Sequence, residues 1–331
     1  MKTLLLTGAT GFVGTNMLVQ EVQQGTRILA PVRNAEKLRR QLSAEGISKA
    51  DVVALDTNPS TWGDIRPTHA LLSAGVLFAR SRAEYQSVNV DWTLRVLETL
   101  PAECQVVVLS SQAAGGPTPV QVHARTEQDA DDPITHYGKS KLELEHAIRR
   151  SHSRRPITIL RPPMVLGARD TATLPLFKMA AGLVRPKPGL AKKEYSFIAV
   201  EDVLEAVKAS WQSSAQGPFY ISSEQTITDF ELIRTAALAT NGRGVTLPLP
   251  QVIIKCFSLI VDAIPKLRES TPSLTRDRAR DIWADRWVVD SELFRRTTGW
   301  KSTRDLRHSL ESAHDFYVRS GMLKRKPHQR Q

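Results

Sequence analysis

Tyr137 and Lys141 stand four residues apart in Tyr137-Gly-Lys-Ser-Lys141. On a helix that spacing puts both side chains on one face. An ammonium beside a phenol favours the phenolate and lowers its pKa. A tyrosine so placed can give or take a proton near neutral pH. Ser110 and Ser111 follow the β-branched run Gln105-Val-Val-Val-Leu109, with Ser111 26 residues before Tyr137. A hydroxyl at such a strand end can hydrogen-bond a substrate oxygen and stabilise alkoxide charge. Alone, the Tyr/Lys pair reads equally well as a surface helix pair. With the serines, the set suits proton transfer at a carbinol or carbonyl oxygen.

A second pattern sits at the N-terminus, in Thr7-Gly-Ala-Thr-Gly-Phe-Val-Gly14. Gly8 permits a tight turn, Gly11 clears a path for a pyrophosphate, and Gly14 lets helix and strand pack closely. Thr10, Phe12 and Val13 complete the turn, whose N–H groups meet an anion at the positive end of the helix dipole. The spacing is one residue longer than the general G-x-G-x-x-G fingerprint. The pattern predicts a nicotinamide dinucleotide. Arg33 lies 19 residues after Gly14, at the end of the second strand. An acidic residue there would receive the ribose 2′-OH, whereas a guanidinium suits a 2′-phosphate. NADP is therefore expected in preference to NAD. Asp56 ends the third strand and can accept from the adenine amine. Ser73-Ala74-Gly75 ends the fourth and lines the adenine-ribose side. Lys141 can also hold the nicotinamide ribose hydroxyls.

These residues need a parallel sheet to bring them to one edge. Short apolar runs alternate with helical stretches through the first half, as in an α/β fold. Strands are expected at 2–7, 26–32, 51–55, 70–73, 105–110 and 157–160, and helices at 12–24, 35–45, 86–100 and 137–150. Beyond Leu166 the alternation weakens, broken by Pro175, Pro186 and Pro188. Residues 197–203 and 219–222 read as a return to the sheet. The expected architecture is a Rossmann doubly wound parallel sheet with a smaller, mostly helical substrate domain. The first domain would hold 1–166 and about 197–222, the second about 167–196 and 223–331.

Composition narrows the remaining choices. Of the 331 residues 41% are hydrophobic and 24% charged, as in an ordinary globular protein. The net charge of +11 is spread over scattered clusters with no nucleic-acid motif. It reads first as a solvated surface, then as attraction for an anionic ligand or an anionic membrane face. Cys104 and Cys256 exclude a disulfide framework and a cysteine zinc site, and the eight histidines form no HExxH pair. No metal is expected. The apolar run Leu4–Leu6 is too short for a secretory signal, so the cytoplasm is the expected compartment. The unusually apolar stretch 247–265 reads as a core helix, as a lid over an apolar pocket, or as a membrane-surface helix. Residues 324–331 read as a frayed basic tail.

The chain resembles the extended branch of the short-chain dehydrogenase/reductase superfamily over nearly its whole length. The matching pieces are the glycine turn, Asn89 in Val-Asn-Val-Asp-Trp-Thr, Ser110-Ser111-Gln-Ala-Ala-Gly-Gly, and Tyr137 through Lys141. Leu160-Arg-Pro-Pro-Met-Val-Leu-Gly167, Phe197-Ile-Ala-Val-Glu-Asp-Val203, Trp287 through Leu293 and Gly299-Trp300 also match. The resemblance implies that Tyr137 is the catalytic acid/base, Lys141 its partner and Ser111 the substrate-orienting hydroxyl. It places Ser110 among the cofactor-facing residues and Pro163 beside the nicotinamide. It implies a monomer or a homodimer, the latter through helices 87–100 and 137–150. Nucleotide-sugar members of the branch tend to carry Asn after the Arg-Pro strand and Arg-Asp-Phe-Ile-His-Val later. This chain reads Arg-Pro-Pro-Met-Val-Leu-Gly and Tyr-Ser-Phe-Ile-Ala-Val, which looks more like dihydroflavonol reductases, 3β-hydroxysteroid dehydrogenases and bacterial keto-lipid reductases. The expected activity is NAD(P)H-dependent hydride transfer to a ketone, or from the alcohol, of a hydrophobic small molecule. The alternatives are a nucleotide-sugar epimerase or dehydratase with tightly bound NAD, and a non-catalytic NADP-binding sensor.

Overall fold

The computed structural model describes residues 2–47, 51–152, 155–250, 277, 280–281 and 284–324. Six strands come first: β1 (Thr3–Thr7), β2 (Arg27–Pro31), β3 (Val52–Leu55), β4 (His69–Leu72), β5 (Gln105–Leu109) and β6 (Ile157–Arg161). Then β7 (Met164–Leu166), β8 (Val184–Pro188) and β9 (Glu194–Ala199) leave their sheet, and β10 (Gly217–Tyr220) returns to it. The sheet has seven strands in the order β10-β6-β5-β4-β1-β2-β3, and every pairing is parallel.

Alternate residues of each strand feed opposite faces of this sheet. Leu4 and Leu6 pack on one side with Met17 of α1 (Phe12–Gln23) and Leu38 of α2 (Ala35–Ala44). Leu5 packs on the other with residues of two later helical segments. The first runs through α3 (Arg82–Tyr85), a π-helical stretch at Gln86–Asp91 and α4 (Trp92–Glu98). The second follows the short α5 (Gln112–Gly115) and is α6 (His136–Ser151). Strands covered on both faces must be apolar throughout, and Leu4, Leu5 and Leu6 are fully buried. The expected strand and helix positions agree within a few residues. The helix expected at 86–100 begins instead at Arg82, because Ser81 caps it with a hydrogen bond from the Glu84 N–H.

The later chain departs further from expectation. Residues 197–203 are not a strand of the main sheet. They are the end of β9 and the start of α8 (Val200–Trp211), which covers the sheet beside α1. β9 pairs instead with β7, with β11 (Thr226–Thr228) and with β13 (Arg286–Trp287). A separate two-stranded parallel ribbon joins β8 to β12 (Val245–Leu249). Among the described residues, these strands lie beside four helices in the later part of the chain. The core of this part gathers Phe177 of α7 (Leu174–Ala180), Ala236 of α9 (Asp229–Ala239) and Leu310 and Tyr317 of α11 (Leu306–Arg319) around Phe197 and Ile227. Phe294 of α10 (Glu292–Thr298) and Trp300 pack into the core over the large sheet, against Phe219. Of the apolar stretch 247–265, residues beyond Pro250 lie outside the described residues, as do Cys256 and 325–331.

Candidate active site

The glycine turn closes the end of β1. Gly8 has φ +73°, the left-handed region that glycine enters without strain. A Cβ at Gly14 would lie 2.1 Å from the Gly8 carbonyl oxygen, so α1 rests directly on the turn. Gly11 is the N-cap of helix α1 and provides no side-chain cap. The first N–H groups of the helix are thereby left for an outside acceptor, at the positive end of the helix dipole. This bare, glycine-walled helix start fits a dinucleotide pyrophosphate. Thr10, Phe12 and Val13 are half-buried around it, and the Gln41 amide reaches Thr10 O at 3.5 Å from α2.

The other expected cofactor residues end neighbouring strands. Arg33 is exposed after β2, beside Asn34, which caps α2. Asp56 follows β3 and accepts from the Asn58 N–H at 2.7 Å. Ser73 donates to Thr7 O at 2.7 Å, and Ala74 N donates to the Thr7 hydroxyl at 3.1 Å, which ties the end of β4 to the end of β1. A Cβ at Gly75 would lie 3.4 Å from Lys141 Nζ. The lysine thus reaches over the end of β4, between the turn and the tyrosine.

Tyr137 and Lys141 share a face of α6, with Lys141 Nζ 6.0 Å from the Tyr137 ring centre. Lys141 donates to Leu109 O, at the end of β5, at 2.8 Å. Burial pushes its pKa down to about 8, against the opposing pull of Glu145. Tyr137 is half-buried, its ring tilted against Tyr85 at 6.4 Å. Ser111 caps α5, accepting from the Ala113 N–H at 3.2 Å. That bond uses an oxygen lone pair and leaves the hydroxyl proton as a donor. Helices α5 and α6 touch at Gly138, where a Cβ would lie 2.3 Å from Ala113 O. The glycine beside Tyr137 therefore sets the tyrosine helix against the serine cap. Pro163 is buried between β6 and β7, one residue after Pro162, whose carbonyl accepts from the Gln112 N–H at 2.9 Å.

Ser110 is placed differently from Ser111. Its hydroxyl is buried and donates to Glu145 Oε1, one turn beyond Lys141 on α6. Glu145 in turn binds Arg161, with Nη2 to Oε2 at 2.6 Å, and both side chains are 3% exposed. Arg161 also donates to Asp131 at 2.7 Å and to the Tyr220 hydroxyl at 3.1 Å. The Ser110 hydroxyl, expected to face the cofactor, is thus engaged with Glu145 beneath α6. Asn89, fully buried on the π-helical stretch, accepts from the Val76 N–H at 2.8 Å and donates to Ser140 Oγ at 3.0 Å. It locks the loop after β4 to α6. Sequence reasoning assigned no role to Glu145, Arg161 or Asn89. The available signal was an arginine closing a strand with no other charge, in Ile157-Thr-Ile-Leu-Arg161.

With this geometry in view, comparison with known proteins is specific. The model of the NAD dependent epimerase/dehydratase family matches residues 4–220. An undecaprenol-linked N-acetylglucosaminyl-diphosphate 4-epimerase of Escherichia coli O157:H7 is 27% identical over 65% of this chain, which spans 64% of that relative. A ceramide reductase of Caulobacter vibrioides is 25% identical over 86% of each chain. Among solved structures, a UDP-glucose 4-epimerase of Thermotoga maritima superposes with a TM-score of 0.75 at 16% identity, over 97% of this chain and 99% of its own.

Proposed function

This chain belongs to the NAD-dependent epimerase/dehydratase family, and from that premise we propose that it moves hydride at a secondary carbinol of a diphosphate-linked sugar, as an epimerase. The observation that carries the proposal is the approach of the Ser111 cap and the Tyr137–Lys141 face across Gly138, at the sheet edge where the glycine turn lies. A nicotinamide dinucleotide held at the glycine turn would supply the hydride acceptor and donor. Tyr137 takes the carbinol proton and later restores it, while Ser111 donates to the same oxygen. Lys141, charged below about pH 8, steadies the phenolate. The epimerase reading, rather than the ketone reduction first expected, draws support from the family match and the lipid-diphosphate-sugar relative. NAD is the cofactor that the family points to. The exposed Arg33 is the reason to expect NADP to compete with it, and Arg33→Ala should weaken NADP binding about tenfold and leave NAD binding unchanged.

One experiment separates the readings. The purified chain is denatured, its released cofactor identified, and the native enzyme incubated with UDP-glucose, UDP-N-acetylglucosamine and their polyprenyl-diphosphate counterparts without added reductant. NAD that co-purifies, together with formation of an epimer, is the expected result. Stoichiometric NADPH consumption with a long-chain ketone, and no epimer, overturns it. That outcome would establish the second reading, a reductase of a hydrophobic ketone. The ceramide reductase match over 86% of each chain and the Arg-Pro-Pro-Met-Val-Leu-Gly segment favour that second reading.

A further inference from the structure

The β8–β12 ribbon of the second lobe is built inside out. Its buried side chains are cationic. Arg185 Nε donates to Ala180 O at 3.1 Å, and Lys187 Nζ lies 2.8 Å from Asp229 Oδ2 and donates to Ala191 O at 2.7 Å. Strand side chains alternate, so a register that turns Arg185 and Lys187 inward turns their neighbours outward. Val184 pairs across from Val245, and Pro186 across from Leu247. Val184 is 55% exposed, Val245 60% and Leu247 47%, with Leu183 at 81% just before β8 and Leu190 at 75% just after it. Isolated exposed leucines are ordinary, but a contiguous apolar face marks an interaction surface.

The charge around that face says what it meets. The segment 171–193, which carries β8, contains five lysines and arginines and no Asp or Glu. The segment 232–250, which carries β12, contains two and again no acidic residue. Exposed Lys178, Lys192 and Arg243 flank the two strands. Lys192 is paired with Glu194 at 3.2 Å, so Lys178 and Arg243 lead a rim in which cations outnumber acids, and an apolar face so rimmed matches the chemistry of an anionic bilayer surface. No described helix is long and apolar enough to cross a membrane. We infer that the outward face of the β8–β12 ribbon docks this protein peripherally on an anionic lipid bilayer, with Leu183, Val184, Val245 and Leu247 entering the headgroup boundary. This goes beyond the proposed reaction and does not depend on which carbonyl or carbinol is turned over.

The test is sedimentation of the full chain with vesicles of phosphatidylcholine and phosphatidylglycerol, three parts to one, at low and high salt. Vesicles of phosphatidylcholine alone provide the comparison. Binding to the anionic vesicles that weakens with salt is expected. The double variant Leu183→Asp, Val245→Asp should cut the bound fraction at least about fivefold while keeping native cofactor affinity, which reports an intact fold. Failure of the native chain to pellet with anionic vesicles at low salt overturns the proposal. So does a double variant that pellets as the native chain does, since binding would then come from elsewhere, such as the basic tail. A native dimer made monomeric by the double variant, with pelleting unchanged, would instead assign the face to a second copy of the chain. None of these readouts requires turnover, so they leave the proposed reaction to its own experiment.

Discussion

At neutral pH Lys141 keeps its charge in a place that burial has stripped of water. Its folded pKa of about 8 lies below the 10.5 of an exposed lysine. Between those values the unfolded chain holds the proton and the folded chain has released it, so unfolding takes one up and stability rises with pH across that window. Below about pH 8 both states are protonated and the full cost of the buried ammonium is present. Lys141→Met should therefore stabilise the apoprotein at pH 7, by on the order of 2 kcal/mol, while destroying turnover. Thermal unfolding beside an activity assay checks both signs. Turnover in the native enzyme should decline as pH rises through about 8, where the ammonium is lost. Tyr137→Phe should lower turnover at least about 100-fold without changing the unfolding midpoint. Loss of Glu145 acts differently. Glu145→Ala leaves Arg161 buried with only Asp131 and Tyr220, and should cost about 3–5 kcal/mol in urea unfolding.

At the scale of elements, the site depends on two contacts too close for a side chain. Gly14→Ala would place its methyl 2.1 Å from Gly8 O and push α1 off the turn. An expected loss of about 1–3 kcal/mol in stability, with cofactor binding weakened far more, can be read by calorimetry and titration. The contact of Gly14 with Gly8 was legible in the sequence, because it lies within one local pattern, the glycine spacing of 8–14, whereas that of Gly138 with Ala113 spans 25 residues and was not read. What stayed hidden was long-range. Ser110 looked like a site hydroxyl, but its partner Glu145 is 35 residues away. The strand expected at 197–203 was apolar enough for the large sheet, but β9 pairs with β7, β11 and β13 instead. Periodicity reports which side of a strand is covered and does not report by what. The ribbon is the sharper case, since Val-Arg-Pro-Lys-Pro suggests outward charges and the structure buries them.

At the scale of the molecule, Arg169 ties the segment after β7 to α1 and to the end of α2. It sits at φ +72°, a region costly for a residue with a Cβ, and forms a two-pronged pair with Glu45 at 2.6 and 2.7 Å. The same guanidinium reaches Asn16 of α1 at 2.8 Å. The pair holds the Glu45 carboxyl below its ordinary pKa. Its contribution is thus present above the usual carboxylate range and fades as pH falls through the lowered value. Arg169→Gly should be less damaging than Arg169→Ala by about 1 kcal/mol, since both lose the pair but only glycine relieves the backbone. Equilibrium unfolding of the two variants decides it. A last consequence concerns time. Phe294 and Trp300 close the core over Phe219, yet they are the last of its members to be made, with eighty residues separating Tyr220 from Trp300. At about 5–20 residues per second, a ribosome needs roughly 4–16 s to cover that stretch. For those seconds the nascent sheet waits with an oily flank bare.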